Sequence, residues 1–589
     1  MTAFLGVERS LNGRRWILRD ADERLALTFS QRLRLPEIIG RVMAGRGVTL
    51  DDAEIYLDPN LRTLLPDPSR LKDMDRAAGR LAKAVMDGEL VAVFGDYDVD
   101  GATSSSLLKR YLETVGGRVR VYIPDRVAEG YGPNAPALRK LKQEGAGLVV
   151  TVDCGTTAYD ALDEAAAIGL DVIVADHHEA EPKLPAAYAI VNPNRIDEAE
   201  GLGHLAAVGV VFLLAVALNR SLRQAGWFTP ARPEPDLMSL LDLVALGTVC
   251  DVVPLKTINR ALVTQGLKVM ARRANAGLAA LADVAGLTEK PGAWHAGYLL
   301  GPRINAGGRV GCADLGTRLL SSDDPIEAAQ LARKLNELNK ERQEIEAVVL
   351  LQAIEQVEST AEEDSPLLFA FADGWHPGVI GIVAGRLKER YARPACVVAI
   401  ENGIGKGSGR SVNGVDLGAA VIAARQAGLL MNGGGHAMAA GFTVAADRLP
   451  ELAHFLAERL RLQAASGLAP VMTLDGALEP GGATYDLVET LERCGPYGAG
   501  NDEPRFAVAG VRISKADIVG SGHVRVNLAG PGGGWLKAIA FRSVDSELGH
   551  ALLASKGAPM HVAGTLRADT WQGRRSAQLV IDDAAMAGG

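Results

Sequence analysis

The chain has 589 residues, of which 48% are hydrophobic and 23% charged, and its net charge is −9. That length exceeds what one hydrophobic core can organise, so three or four domains are expected, and the composition excludes a disordered or fibrous chain. The acidic balance and the 5% aromatic content exclude a protein that coats nucleic acid, but not an enzyme that admits a strand into one basic groove.

Residues 1–70 predict a helical lead-in, with Pro36-Glu37-Ile38-Ile39 starting an apolar pattern that Gly45-Arg46-Gly47 ends. Within residues 71–325, Met74 to Met86 has helical spacing. Short apolar runs then follow at Leu90–Phe94, Val119–Ile123, Leu148–Val152 and Val172–Ala175. Helical stretches at Ser105–Thr114 and Ala158–Ile168 separate them, a rhythm that predicts an α/β domain with a parallel sheet covered on both faces. The longest apolar run, Leu205 to Leu218, is too short to span a bilayer and reads as a buried helix, so no membrane is expected.

Residues 326–360 have no Gly or Pro and predict one long connecting helix. Residues 361–468 start a second α/β domain: strands at Pro366–Ala372 and Ala395–Ile400, helices at Val379–Tyr391 and around Leu449–Leu462. Residues 469–589 hold five short alternating strands between Gly-rich turns, which predict a small β-barrel of the OB type. Arg512, Lys515, Arg525, Lys537, Arg542, Arg567, Arg574 and Arg575 there interleave with Trp535, Phe541 and Trp571, a mixture suited to single strands. A purely structural barrel is the alternative.

Cys154, Cys250, Cys312, Cys396 and Cys494 form no CxxC pair, and residues 1–14 have no apolar leader core. A reducing, cytoplasmic setting is expected. No exposed apolar stripe is legible, so the chain reads as a monomer.

The chemistry lies where the acids fall. Four segments, each read as a strand end, close on Asp96-Tyr97-Asp98-Val99-Asp100-Gly101, on Asp153, on Asp176-His177-His178 and on Asp251. The carboxyl ends of parallel strands open onto one crevice, so the four deliver Asp and His to one place. So many carboxylates repel unless cations lie between them, and oxygen and imidazole donors suit Mn²⁺ or Mg²⁺. Two such ions fit phosphoester hydrolysis. Alone, a DxDxDG reads equally as a calcium loop, and Asp153 as a helix cap; the ordered set carries the reading.

A second cluster, Gly301-Pro302-Arg303-Ile304-Asn305-Ala306-Gly307-Gly308-Arg309, reads as a Gly-rich bend whose amides and guanidinium forks meet a phosphate. A third comprises Gly405 to Ser411, with Ser408 and Arg410, and Gly433-Gly434-Gly435-His436, read as a loop entering a helix and apt for anions. His376, in a turn beside Pro377, reads as structural.

These motifs resemble the DHH phosphoesterase superfamily, and in order along nearly the whole chain they resemble its RecJ branch. The resemblance implies a DHH domain joined by the long helix to a DHH-associated domain, with the OB-like barrel at the C-terminus. It implies that Asp153 bridges two divalent ions, Mn²⁺ preferred and Mg²⁺ accepted. Asp98, Asp100, His177 and Asp251 are implied as further ligands. Some members open the first motif with a His where Phe94 stands, and Asp96 is expected to substitute. His178 is implied as general acid or phosphate contact, and Asp176 as the residue that orients an imidazole. Arg303, Asn305 and Arg309 are implied to meet the strand, and Ser408, Arg410 and His436 to hold its 5′-terminal nucleotide. The implied activity is 5′-to-3′ digestion of single-stranded DNA in repair and recombination, in the company of a single-strand-binding protein and a helicase. The competing readings are a phosphodiesterase of short oligonucleotides or small phosphates, and a non-enzymatic DNA-binding relative that has lost its ligands.

Overall fold

The computed structural model describes residues 2–125, 129–199, 201–360, 365–464, 470–555, 557–571 and 574–587. Strand β1 (Arg15–Leu18) and helices α1 (Glu23–Leu33) and α2 (Glu37–Ala44) open the chain, with Asp22 capping α1 through the Arg24 and Leu25 amides. The segment is not the wholly helical, separate lead-in expected from the sequence. β1 pairs in parallel with Val471–Leu474, and Phe29, Ile39, Val42 and Met43 share one buried core with Phe506, Val508, Val526 and Leu579 of the C-terminal barrel. A four-residue strand is too short to show an alternation, and its partner is remote in sequence.

In the first domain, β2 (Leu90–Gly95), β3 (Arg118–Tyr122), β4 (Ala146–Val152), β5 (Asp171–Ala175) and β6 (Ala189–Val191) form a parallel sheet in the order β3-β2-β4-β5-β6. Their continuous apolar runs are those of strands buried on both faces. The chain winds one way from β2 to β3 and then returns to place β4 on the other side of β2, so the strand order switches there. Helix α3 (Val99–Thr114) follows β2. Helix α4 (Ala207–Gln224) outruns the apolar stretch legible in the sequence: at 18 residues it is long and apolar enough to cross a membrane. It is instead the core helix of this domain, 72% buried.

The apolar stretch before Asp251 is a helix, α5 (Leu241–Cys250), and not a strand. It is buried on almost every side, so it has no polar face whose period would separate helix from strand. Helix α6 (Thr257–Met270) follows, and a π-helical turn at His295–Leu300 runs into α7 (Gly301–Val310). Helix α8 (Pro325–Thr360) then joins the domains, as its unbroken sequence predicts. Its Leu331, Leu335 and Leu338 belong to the core of the first domain, and Val349, Ala353 and Val357 to that of the second. Between them lies a buried ion pair of Arg342 with Glu346.

The second domain is a mixed sheet in which β7 (Leu368–Asp373) and β8 (Ala395–Glu401) run parallel. β9 (Ile404–Arg410), β10 (Asn432–His436) and β11 (Ala439–Ala445) extend it antiparallel. Helix α9 (Ile380–Tyr391) packs on this sheet through Val383, Ala384 and Leu387. Strand β12 (Val471–Leu474) partners β1, and β13 (Gly476–Ala477) begins the last sheet. Its long strands are β14 (Arg505–Val519), β15 (His523–Ala529), β16 (Trp535–Ala540), β17 (Met560–Trp571) and β18 (Arg574–Met586). Because β14 pairs with both β15 and β17, the ring β14-β15-β16-β18-β17 closes on itself and leaves these strands no free edge.

Candidate metal centre and substrate cleft

The switch in strand order between β2 and β4 opens a crevice at their carboxyl ends. Asp96 lies buried just beyond β2. Asp98 caps α3 by accepting from the Gly101 amide at 3.0 Å. Asp100, in the first turn of α3, accepts from the Ala207 and Val208 amides at 2.7 and 2.9 Å, where the positive end of α4 meets it. Asp153 follows β4 with φ +61°, a left-handed backbone that residues with a Cβ mostly avoid. Asp176 follows β5 and accepts from the His177 amide at 2.8 Å, from His178 Nδ1 at 2.7 Å and from the Thr156 amide at 3.0 Å. Asp251 comes from the C-terminal end of α5, so the fourth acid is delivered by a helix and not by a strand end.

His177 Nε2 stands 3.3 Å from Asp153 Oδ1, 3.6 Å from Asp251 Oδ2 and 3.9 Å from Asp100 Oδ2. Three overlapping trios each have their ligand atoms within 4.8 Å: Asp153 with His177 and His178, Asp100 with His177 and Asp251, and Asp96 with Asp98 and Asp153. Asp153 and His177 each belong to two of them.

The electrostatics fit a divalent cation. Burial lifts Asp100 far above the usual carboxylate range, and the charges of Asp251 and Asp98 lift it further. Burial does the same to Asp153, with Asp100 and Asp98 adding to it. Burial and then Asp98 push Asp251 up to about 7, and its Oδ2 is buried with no hydrogen-bond partner. Such carboxylates keep their charge at neutral pH when a cation neutralises them. A donor set of carboxylates and imidazole, without thiolate, suits Mn²⁺ or Mg²⁺.

The two histidines are set apart by their surroundings. Burial and the neighbouring His178 push His177 down, which leaves it neutral and able to donate a lone pair. Burial alone would also lower His178, but the hydrogen bond and charge of Asp176, with Asp251 and Asp96 behind it, hold it above the ordinary imidazole range. Burial would raise Asp176 in turn; His178 and Thr156 hold it well below.

Several residues of the site were not singled out from the sequence. The Tyr131 hydroxyl donates to the Asp153 carbonyl at 3.0 Å and lies 3.3 Å from each ring nitrogen of His178. Asn192 Nδ2 donates to the His178 carbonyl at 2.8 Å, and Asn194 Nδ2 donates to that of His177. Asn192-Pro193-Asn194 follows β6 as the acids follow β2, β4 and β5, and that placement was the available signal.

The second cluster is a helix, α7, and not a bend. Its internal amides are bonded within the helix, so only side chains can meet a phosphate. Gly308 lets α7 approach the first motif closely, since a Cβ there would lie 3.0 Å from the Tyr97 carbonyl. Arg303 donates to Asn336 Oδ1 and to the Leu299 carbonyl, and Arg309 Nη1 donates to the Gly378 carbonyl at 3.0 Å. Asn305 lies half-buried on the same helix.

The third cluster is also corrected in form. Gly433 to His436 is a strand, β10, whose hairpin with β11 engages the backbone, and no helix follows it. Its side chains nevertheless converge. Arg410 opposes Ala439, which opposes His436, and Ser408 lies two residues before Arg410, so all three project from one face. Arg410 donates to Ser408 Oγ at 3.2 Å, and Gly381, near the start of α9, lies over both. Contacts thus run from Tyr97 through Gly308 and Arg309 to Gly378, and on through α9 to Ser408 and Arg410. His376 Nδ1 accepts from the Gly378 amide at 3.0 Å, as a turn histidine does.

On the barrel, Trp535 and Phe541 are exposed. Lys515 and Arg525 pair with Asp517, Lys537 with Asp569, and Arg567 with Glu503. Exposed pairs of this kind are weak, so a phosphate can displace the acid. Arg512 donates to the Gly557 carbonyl, and Arg575 lies over the Tyr485 ring. The side chains of Trp571 and Arg574 lie outside the described residues.

Three family models match parts of this chain. Residues 90–248 match the DHH family, N-terminal domain, residues 364–462 the DHHA1 domain, and residues 474–583 the RecJ OB domain. The single-stranded-DNA-specific exonuclease RecJ of Dickeya dadantii is 38% identical, the match covering 93% of this chain and 96% of that one. That of Escherichia coli is 36% identical with the same coverage of both. That of Bacillus subtilis is 34% identical over 97% of this chain and 71% of the relative. The crystal structure of Thermus thermophilus RecJ with Mn²⁺ superposes with a TM-score of 0.80 at 31% identity, covering 97% of this chain and 79% of that one. The same protein with Mg²⁺ gives 0.75 at 29% identity, covering 98% and 79%.

Proposed function

Since the chain belongs to the RecJ family of single-stranded-DNA-specific exonucleases, we propose that it digests single-stranded DNA from the 5′ end, in DNA repair and recombination. Two divalent cations, Mn²⁺ in preference to Mg²⁺, would be held by Asp96, Asp98, Asp100, Asp153, His177 and Asp251. The observation that supports this reading is the set of three overlapping trios, which between them take in all six of these residues. When bound, the cations supply an activated water and neutralise the leaving oxygen.

The protein's own residues do the rest. Asp176 accepts the Nδ1 proton of His178 and fixes that tautomer, so His178 Nε2 is the atom that holds and delivers a proton to the leaving oxygen. Arg303, Asn305 and Arg309 line the side of the cleft nearest the first motif. Ser408, Arg410 and His436 receive the terminal nucleotide on one sheet face. A cleft walled by two domains that contact each other at Arg309 and Gly378 admits a single strand and excludes a duplex.

The barrel favours a long strand over the short oligonucleotides or small phosphates of the competing reading, because it offers exposed Trp535 and Phe541 among exchangeable bases. We place the enzyme in the cytoplasm, as a monomer whose site is complete within one chain. Its expected partners are a single-strand-binding protein and a helicase, which expose and present single strands. The test is digestion of a long oligonucleotide with Mn²⁺, labelled at either end, as single strand and as blunt duplex. Stepwise loss from the 5′ end of the single strand alone is expected. Survival of the long strand while very short oligomers are cleaved would overturn the reading.

A further inference from the structure

Just before α7 the helix widens into a π-turn, His295–Leu300, a form that recurs at functional sites. Two large aromatic rings stand largely exposed here: Trp294, just before the turn, is 54% exposed and Tyr298, within it, 74%. They stack on each other with centroids 6.0 Å apart and planes 25° from parallel. The step is held from behind. His295 meets Trp294 edge-on, its Nδ1 accepts from the Gly292 amide at 3.0 Å, and its Nε2 lies 3.0 Å from Glu289. A soluble protein gains nothing in stability from two exposed rings held in this way.

Their position is informative. The inner face of the same turn packs on the end of the helix that carries Asp251. Cys250 Sγ lies 3.3 Å from the Ala296 carbonyl, and Gly301 must be glycine because a Cβ there would meet that sulfur at 2.5 Å. On the other side, just beyond Asp251, the Leu255 amide donates at 2.7 Å to the Ala499 carbonyl in the segment that leads into the barrel. Lys290 and Arg303 bracket the rings in sequence, and neither is in an ion pair among the described residues. The rings therefore lie beside the metal-bearing helix end, near where the segment leading into the barrel meets the first domain, with Lys290 and Arg303 on either side of them in sequence.

We propose that Trp294 and Tyr298 form a stacking step on which successive bases of the substrate strand rest as it passes from the barrel to the metal centre. Stacking tolerates any base, since each has a π-face, and this suits an enzyme that must advance along arbitrary sequence. The inference rests on the single-strand exonuclease reading above.

The test uses the full chain with Mn²⁺ and a 5′-phosphorylated oligothymidylate of about twenty nucleotides. Stacking of one base is worth about 1–3 kcal/mol, so the double variant Trp294→Ala, Tyr298→Ala should raise KM for this substrate roughly tenfold or more. Trp294→Phe with Tyr298→Phe should restore most of the loss, because it keeps the rings and removes only their polar groups. A 2-aminopurine base placed along the strand should be quenched on binding to the wild type and not to the double alanine variant. A KM within twofold of wild type, or a phenylalanine variant as impaired as the alanine one, would overturn the proposal. If instead the wild type itself leaves the oligothymidylate intact, the exonuclease reading fails before any variant is compared.

Discussion

Arg260 stacks its guanidinium 4.0 Å from the ring centre of Tyr56 and donates to the Tyr56 carbonyl at 2.7 Å. The same side chain donates to the carbonyls of Cys494 and Gly495. One buried arginine of α6 thus fastens the N-terminal segment and the approach to the barrel onto the catalytic domain. Arg260→Ala leaves the Tyr56 and Gly495 carbonyls without this donor at a buried junction, the Cys494 carbonyl keeping Asn501, at a cost of about 3 kcal/mol. A urea melt should lose that stability and separate into two transitions, with the barrel and the N-terminal helices unfolding together because they share a core. A single unshifted transition would contradict the joint.

Asp242 predicts a pH dependence of its own, beside the one that the raised carboxyls of the metal-free site contribute. Burial pushes its carboxyl up to about 6, against the opposing Leu243 amide and Arg110. A raised carboxyl keeps its proton in the folded state after the unfolded chain has released it. The folded state therefore loses stability as pH rises from the unfolded value through about 6, by about 3 kcal/mol in all. Asp242→Asn should remove this share of the slope. Compared by urea melts without metal, the variant should gain on the wild type between pH 4 and pH 8; an equal difference at both would sink the assignment.

Much of this was legible in the sequence where local pattern decides structure. Asp96, Asp98, Asp100, Asp153 and Asp176 stand at the ends of apolar runs, and such strands in a parallel sheet must present their ends together. The long helix showed in its unbroken polar and apolar mixture. What failed depended on distant partners or on missing contrast. β1 is defined by a strand at the other end of the chain, α5 by burial on all sides, and the Gly-rich β10 by its hairpin partner rather than by its own residues. Tyr131 went unnoticed because its role comes from His178, which only folding brings within reach.

Arg410 projects beside Ser408 on the sheet face proposed to hold the strand end. A guanidinium–phosphate hydrogen bond is worth about 1.5–3 kcal/mol, so Arg410→Ala should raise KM by roughly ten- to hundredfold while lowering kcat less. Steady-state digestion of a labelled single strand reads this split, and an unchanged KM would refute the role.

Metal binding should itself be visible as stability. With Mn²⁺ at about a hundred times its Kd, the wild type should gain about 2.7 kcal/mol, because the cation binds only the folded cluster. Asp153→Asn removes a carboxylate shared by two trios and relieves repulsion on Asp100. The variant should melt no lower than wild type in chelator, gain little from Mn²⁺ and be inactive. A full Mn²⁺ shift in the variant would exclude Asp153 as a ligand.

Asp176 makes a sharper case, since it touches His178 rather than the cluster's centre. Its Oδ1 accepts both the His177 amide and His178 Nδ1, so it positions a ligand and a proton donor at once. In Asp176→Asn the side chain stays polar and of the same size, but the amide cannot sustain the charge that holds His178 above its ordinary range. His178 should then lose its proton at lower pH, and Nδ1 is no longer fixed as the donor to Asp176, so Nε2 is no longer reserved for the proton exchanged with the cleft. The expected loss in kcat is about 10²–10⁴-fold, the size of a removed general acid, with the Mn²⁺ melting shift largely kept. The alkaline limb of the kcat profile should move toward lower pH in the variant. A limb that stays in place while kcat falls would mean that Asp176 acts by holding the His177 backbone, and that His178 is not the acid.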